Sequence, residues 1–97
     1  MEKKHYFLKL IPSRPSFSQD MTPAERAIMQ QHIVYWRGLM DQGMVIVFGP
    51  VMDPAGVYGM GVIAVDDEDQ VRTLINGDPA NQINRYEYFP MRAIVKE

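Results

Sequence analysis

The chain has 97 residues, 46% of them hydrophobic and 23% charged, which is typical of one globular domain spanning residues 1–97. Its formal net charge of -2 gives no basic surface for nucleic acid, and no apolar run is long enough to cross a membrane. The chain has no cysteine, which excludes disulfides and thiolate sites. It shows no signal segment, so we expect a cytoplasmic protein.

The first half of the chain predicts a strand, a loop and a long helix. Residues 5–11 alternate as a strand does, and two prolines within residues 12–18 predict a loop. The helix begins at Thr22, whose hydroxyl forms a capping box with Glu25, and it is expected to end near Gly43.

The apolar face of this helix contains a histidine. Ile28, Tyr35 and Leu39 form a stripe at helical spacing with Trp36 at its edge, and His32 falls inside the stripe. Burying an imidazole costs free energy unless its ring nitrogens find partners, so an acid, a carbonyl or a water should lie near it. Most lone histidines on apolar faces are structural, but the neighbouring aromatic rings would here form the wall of a pocket.

The second half predicts two strands, a helix, a short turn and a last strand. Residues 44–48 are an uninterrupted apolar run, which predicts a strand covered on both faces, and residues 57–65 return as its hairpin partner. The acidic residues 66–69 suit the positive end of a second helix. Asp78 caps a separate short turn, and residues 85–95 form a strand that a proline marks as an edge or a bulge.

This order of elements predicts an α+β fold. It is a ferredoxin-like βαββαβ sandwich, in which a four-stranded antiparallel sheet has two helices on one face. The other face bears aromatic residues and methionines, and a second copy of the chain is the simplest cover for it. We therefore expect a homodimer packed sheet to sheet.

Two aspartates are candidates to pair with His32. Asp53 is the better one, because its loop between the hairpin strands, residues 49–56, can fold over a helix face or reach a dimer partner. Turn formation is the competing role of Asp53, and capping is that of Asp78. A carboxylate fixes the tautomer of an imidazole and tunes it for acid–base chemistry. Nothing places His5 beside His32, so no metal site is predicted.

Short motifs in this order resemble the YCII-related family of small dimeric α+β proteins. The matching residues are His32, Tyr35, Trp36, Gly43, Gly49, Pro50, Asp53, Gly56, Asp78, Pro79, Tyr86 and Pro90. The resemblance extends over nearly the whole chain, and it implies a ferredoxin-like fold that associates as a dimeric α/β barrel. It also implies an active site built on a His–Asp pair, which carries over to His32 with Asp53 or Asp78 as the acid. Asn84 departs from the glycine that such sequences often have.

We therefore expect a small-molecule enzyme that uses neither cofactor nor metal. It would be a lyase or an isomerase acting on a small cyclic or aromatic substrate, and the resemblance adds a dehydrochlorinase-like reaction. His32 would exchange the proton, Tyr35 and Trp36 would shape the pocket, and Gly49 and Pro50 would contribute to substrate binding. The main alternative is a non-catalytic ligand-binding or interaction module with a structural His–Asp pair, and an oxygen-dependent oxidation is a third.

Overall fold

The chain folds into four strands, three α-helices and one 3₁₀ helix within residues 2–96, the part that this computed structural model describes. In chain order these are β1 (Lys4–Pro12), α1 (Phe17–Asp20), α2 (Pro23–Asp41), β2 (Val45–Val51), β3 (Tyr58–Val65), α3 (Glu68–Gly77), the 3₁₀ helix (Pro79–Gln82) and β4 (Asn84–Met91). The predicted βαββαβ order is confirmed, with α1 as an added helix.

The four strands form one antiparallel sheet in the order β2-β3-β1-β4, which is the order of a ferredoxin-like sandwich. The central strands β1 and β3 carry the core: Leu8, Ile63 and Val65 are each 0% exposed. Pro90 lies in β4, at an edge of the sheet, where a residue without an N–H is tolerated.

Strand β2 is the other edge of the sheet, and within the single chain it is not covered on both faces as predicted. Ile46 is 42% exposed and Val47 is 48% exposed, and only Val45 of this strand is buried. An apolar run does not reveal whether a strand is central, because that depends on which strands the crossovers place beside it.

Helix α2 has the predicted start. The Thr22 hydroxyl accepts from the Glu25 N–H at 3.1 Å, and the Glu25 carboxylate accepts from the Thr22 N–H at 2.9 Å. Gly43 follows the helix with a φ of 84°, in the left-handed region that favours glycine. Trp36 and Leu39 are buried on the face toward the sheet, as the helical stripe predicts.

The segment predicted as a loop contains α1, and a charged cluster holds it against α2. The Arg14 guanidinium donates to Asp20 at 2.8 Å and to both oxygens of Glu25, at 2.9 and 3.0 Å. These bonds hold the pKa of Glu25 at about 2. Phe17 is only 4% exposed, so this short segment contributes a buried side chain, which also lines the cavity described below.

The ends of the later elements differ slightly from prediction. Helix α3 begins at Glu68, because Asp67 is its cap and accepts from the Gln70 N–H at 2.9 Å. Strand β4 ends at Met91, before the predicted residue 95. Within residues 2–96, no helix is long and apolar enough to cross a membrane.

An apolar row crosses all four strands on the sheet face opposite the helices. Val47 pairs with Val62, Val62 with Phe7, and Phe7 with Phe89. Val47 is 48% exposed and Phe89 is 52% exposed. This is the face that we expect a second copy of the chain to cover.

Candidate active site

The candidate site is centred on a buried carboxylate between α3 and the 3₁₀ helix. The Asp78 side chain caps the 3₁₀ helix, since its Oδ1 accepts from the Ala80 N–H at 2.9 Å. The residue is 3% exposed and is the only polar or charged residue in the core of residues 2–96. A buried carboxylate must be compensated by hydrogen bonds, and here the neighbouring elements supply them.

Three side chains from two other elements converge on Asp78. His32 Nδ1 lies 2.8 Å from Oδ2 and 2.9 Å from Oδ1, and Trp36 Nε1 donates to Oδ2 at 2.9 Å. The Tyr86 hydroxyl, on β4, donates to the same oxygen. His32 and Trp36 reach one carboxylate because residues four apart lie on one face of a helix.

This arrangement defines the protonation states of the site. Burial alone would raise the pKa of Asp78, but the hydrogen bonds from His32 and Tyr86 outweigh it and hold the pKa below its usual range. Burial and the charge of Asp78 raise the pKa of Tyr86, so that hydroxyl stays a donor. Because an ionised carboxylate only accepts, Nδ1 of His32 carries a hydrogen, and in the neutral form of the ring this leaves the lone pair on Nε2.

His32 also lines a partly open cavity of about 240 Å³ between α1, α2 and the sheet. Among residues 2–96, no hydrogen-bond partner of Nε2 is found. The walls are mainly apolar, and none of the described lining residues is Asp, Glu, Lys or Arg; they include Leu8, Phe17, Met29, Phe48, Val57 and Met60. A dry apolar cavity of about 150 Å³ holds benzene, so this one has room for a substituted single ring.

Gly61 allows Trp36 to approach the sheet closely. A Cβ atom at Gly61 would stand 2.7 Å from Cζ3 of the Trp36 ring, closer than such atoms approach. A glycine within a strand predicts a bulge or a close approach, and here the approaching group is the indole that donates to Asp78.

The residues predicted for the site divide into two groups. Trp36, Gly49 and Pro50 line the cavity together with His32. Tyr35 does not line it; its hydroxyl donates to the Leu74 carbonyl at 2.8 Å, which ties α2 to α3.

The structure brings Asp78 to His32 and does not bring Asp53, which corrects our preference between the two acids. Asp53 Oδ1 accepts from the Ala55 N–H at 2.9 Å, and the Asp53 carbonyl accepts from the Gly56 N–H at 2.9 Å. The loop therefore closes on itself as a turn, which is the competing role that its Asp-Pro sequence suggested.

Two residues of the cavity wall were not predicted as site residues. Tyr86 and Asn84 both line the cavity, and Tyr86 pairs with Leu10 in the helix-facing row of β1. Alternation places the two residues on one face of β4, but the sequence does not say which face meets the helices. Within residues 2–96, no group of three or more metal-ligating side chains is found.

The fold and the site define a small ferredoxin-like domain with a His–Asp pair at an apolar cavity. The sequence model of the YCII-related domain matches residues 6–94, so the chain belongs to the YCII-related family. No curated protein matches the sequence significantly.

Solved structures that share the fold include two with the following similarity. One is a 5-chloro-2-hydroxyhydroquinone dehydrochlorinase from Burkholderia phenoliruptrix in complex with 2,5-dihydroxybenzoquinone. Its sequence is 15% identical to this chain, the TM-score is 0.64, and the alignment covers 90% of this chain and 93% of the dehydrochlorinase. The other is an uncharacterised protein from Thermotoga maritima, at 16% identity and a TM-score of 0.56, covering 94% and 100%. At such identity the likeness concerns the fold alone.

Proposed function

We propose that this protein is a cofactor-free enzyme that performs acid–base chemistry on a small cyclic or aromatic substrate. One observation carries the proposal: His32 lines the apolar cavity while its Nδ1 lies 2.8 Å from the buried carboxylate of Asp78. A histidine that served only to fill the core would not need an oriented ring with one nitrogen left for a ligand.

In the proposed mechanism, Nε2 of His32 takes a proton from the substrate. In an isomerisation it returns that proton at another atom. In a dehydrochlorination the electron pair left by the proton forms a new double bond as the C–Cl bond breaks, chloride leaves with its bonding electrons, and His32 then gives the proton to water. Asp78 holds the tautomer that leaves Nε2 free, and its charge stabilises the imidazolium that forms. A positioned base of this kind contributes about 10²–10⁴-fold to a rate. The apolar walls keep water away from the reacting atoms, which strengthens each electrostatic contact.

The cavity supports a neutral single-ring substrate. No Lys or Arg lines it within the described chain, so a carboxylate or phosphate group would enter without a fixed positive partner. The volume of about 240 Å³ suits one ring with a few substituents. Hydroquinones and cyclic enones belong to this class, and both can lose a proton to a histidine.

A lyase is the reaction class that the similar dehydrochlorinase supports. The direct test is to incubate the protein with 5-chloro-2-hydroxyhydroquinone and to measure the chloride released by ion chromatography. We expect His32→Asn, which retains an N–H near the Nδ1 position, to lose at least about 10²-fold in rate, since no base remains. Tyr35→Phe, outside the cavity, is the matched control and should retain the rate.

The outcomes separate a lyase from other functions. Equal chloride release by the wild type and His32→Asn would contradict the role of His32. If the wild type releases no chloride but isomerises 3-cyclohexen-1-one to the conjugated enone, followed by its ultraviolet absorbance, the isomerase reading stands instead.

A non-catalytic ligand-binding module is the second candidate. It is supported by the number of elements that Asp78 joins, since α2, β4 and the 3₁₀ helix all donate to its carboxylate. In that case single-ring ligands would bind without chemical change, and His32→Asn would alter affinity only.

We further propose that the protein forms a homodimer through the apolar row Val47–Val62–Phe7–Phe89. Two copies packed on this row would remove its apolar surface from water. Light scattering at micromolar concentration tests the proposal, and a stable monomer would contradict it. The cytoplasm is proposed as the place of action, which fractionation of cells would test.

A further inference from the structure

Asn84 has an unusual position in the cavity wall. It is the first residue of β4, and it lies two residues from Tyr86, so both side chains project from the same face of the strand. The Asn84 side chain also contacts α2, where its Nδ2 donates to the Met29 sulfur at 3.4 Å. Met29 precedes His32 by three residues on that helix, and both line the cavity.

The carbonyl oxygen of this amide lacks a partner. Asn84 Oδ1 is buried and makes no hydrogen bond, and it is the only buried side-chain nitrogen or oxygen of residues 2–96 in this condition. A buried acceptor without a donor destabilises the folded chain, and such groups are rare in native proteins. Exchanging the amide nitrogen and oxygen gives no relief, because Oδ1 would then face the Met29 sulfur, which is itself an acceptor.

Two other polar groups of this wall are already engaged, whereas the hydroxyls of Ser18 and Tyr58 also line the cavity. The Tyr86 hydroxyl and the Trp36 N–H both donate to Asp78, so neither can donate to Asn84. A molecule in the cavity can supply a donor for Oδ1, provided that the terminal amide rotates and turns this buried oxygen toward the cavity that Asn84 lines.

We propose that Asn84 determines the specificity of the cavity by accepting a hydrogen bond from a hydroxyl on the ring of the ligand. The inference rests on the proposed function, since it takes the cavity as the substrate site. It narrows the substrate class to hydroxylated single rings, with the hydroxyl held at Asn84 and the reacting proton near His32. Ligands without a donor lose this bond and leave the amide oxygen unpaired.

The test compares phenol with toluene, which have nearly the same shape but differ in a hydroxyl against a methyl group. Trp36 is the only tryptophan of the chain and lines the cavity, so its fluorescence, excited at 295 nm, reports binding of both probes. We expect Asn84→Leu, which is close to asparagine in shape, to lower the ratio of phenol to toluene affinity about tenfold. Tyr35→Phe, which lies outside the cavity, should leave that ratio within about twofold.

Thermal unfolding checks that the variants are folded. Because Asn84→Leu removes an unpaired buried oxygen, its unfolding midpoint without ligand should equal or exceed that of the wild type. Asn84→Ala removes the same oxygen with a smaller side chain, and it should lower the affinity ratio as well.

Each result distinguishes the inference from the proposed function. If both probes bind and the affinity ratio is unchanged in Asn84→Leu and Asn84→Ala, the inference is overturned while the chemistry proposed for His32 is untouched. A ratio that falls in His32→Asn but not at Asn84 also overturns it, since the hydroxyl would then be held by the imidazole. If neither probe alters the fluorescence of the wild type, the cavity takes no single ring and both proposals fail.

Discussion

Replacing Asp78 by asparagine tests whether one carboxylate holds the site together. The asparagine side chain would keep one oxygen in the place of Oδ2, where the side chains of His32, Trp36 and Tyr86 donate. Its NH₂ group would take the place of Oδ1, so the Ala80 N–H would lose its acceptor. Hydrogen bonds to a charged group contribute about 1.5–3 kcal/mol each and neutral ones about 0.5–1.5 kcal/mol. Removal of a buried charge offsets part of the loss, so we expect about 2–4 kcal/mol of destabilisation.

The assay is urea unfolding followed by circular dichroism. A domain of this size has a stability of about 5–15 kcal/mol, so Asp78→Asn should still fold, with its urea midpoint lowered by about 1–3 M. The matched control is Asp53→Asn, which affects one turn hydrogen bond and should cost less than about 1 kcal/mol. If the two variants lose equal stability, the carboxylate of Asp78 does not organise the site and the reasoning is wrong.

Four further predictions concern the same site and the sheet. Gly61→Ala should destabilise by about 1–3 kcal/mol and shift the Trp36 emission, because the added methyl overlaps a ring that is only 2% exposed. Tyr86→Phe should raise the pKa of Asp78, as measured by carbon NMR of the carboxyl, since it removes a hydrogen bond that lowers that pKa. The pKa of Asp78 is lower in the folded chain than its ordinary value of 3.8. The ionised carboxylate therefore stabilises the fold above about pH 4, and this stabilisation is lost as the pH falls through the folded pKa. The difference in unfolding free energy between the wild type and Asp78→Asn should accordingly narrow as the pH is lowered. Phe89→Lys should turn the proposed dimer into a monomer in light scattering, because a charge would be buried in the apolar row.

The fold was predictable because local signals agreed with the topology. The capping box at Thr22, the helical stripe containing Trp36 and the glycine after α2 each indicated an element that the structure has. What the sequence could not give was the position of a strand in the sheet. Strand β2 looks central by composition, yet it lies at the edge, where Val47 is exposed.

The site was predictable only in part. Helical spacing identified His32, because a polar ring on an apolar face requires a partner. The choice between Asp53 and Asp78 could not be made, since each aspartate also fits a local turn or cap. The tertiary fold decides it: packing of the 3₁₀ helix against α2 brings Asp78 within 2.8 Å of the ring, whereas Asp53 stays in its own turn.

The central claim is that His32 exchanges protons with a ring bound in the cavity. Deuterium incorporation tests it most directly: cyclohexane-1,4-dione and hydroxylated single rings are incubated in D₂O with the protein, and uptake at carbon is followed by mass spectrometry. We predict that the wild type exchanges at least one of these ligands, and that His32→Asn lowers the rate by about 10²–10⁴-fold. Ligands that bind the wild type without any exchange above the buffer rate, or that exchange equally fast with His32→Asn, would contradict the account.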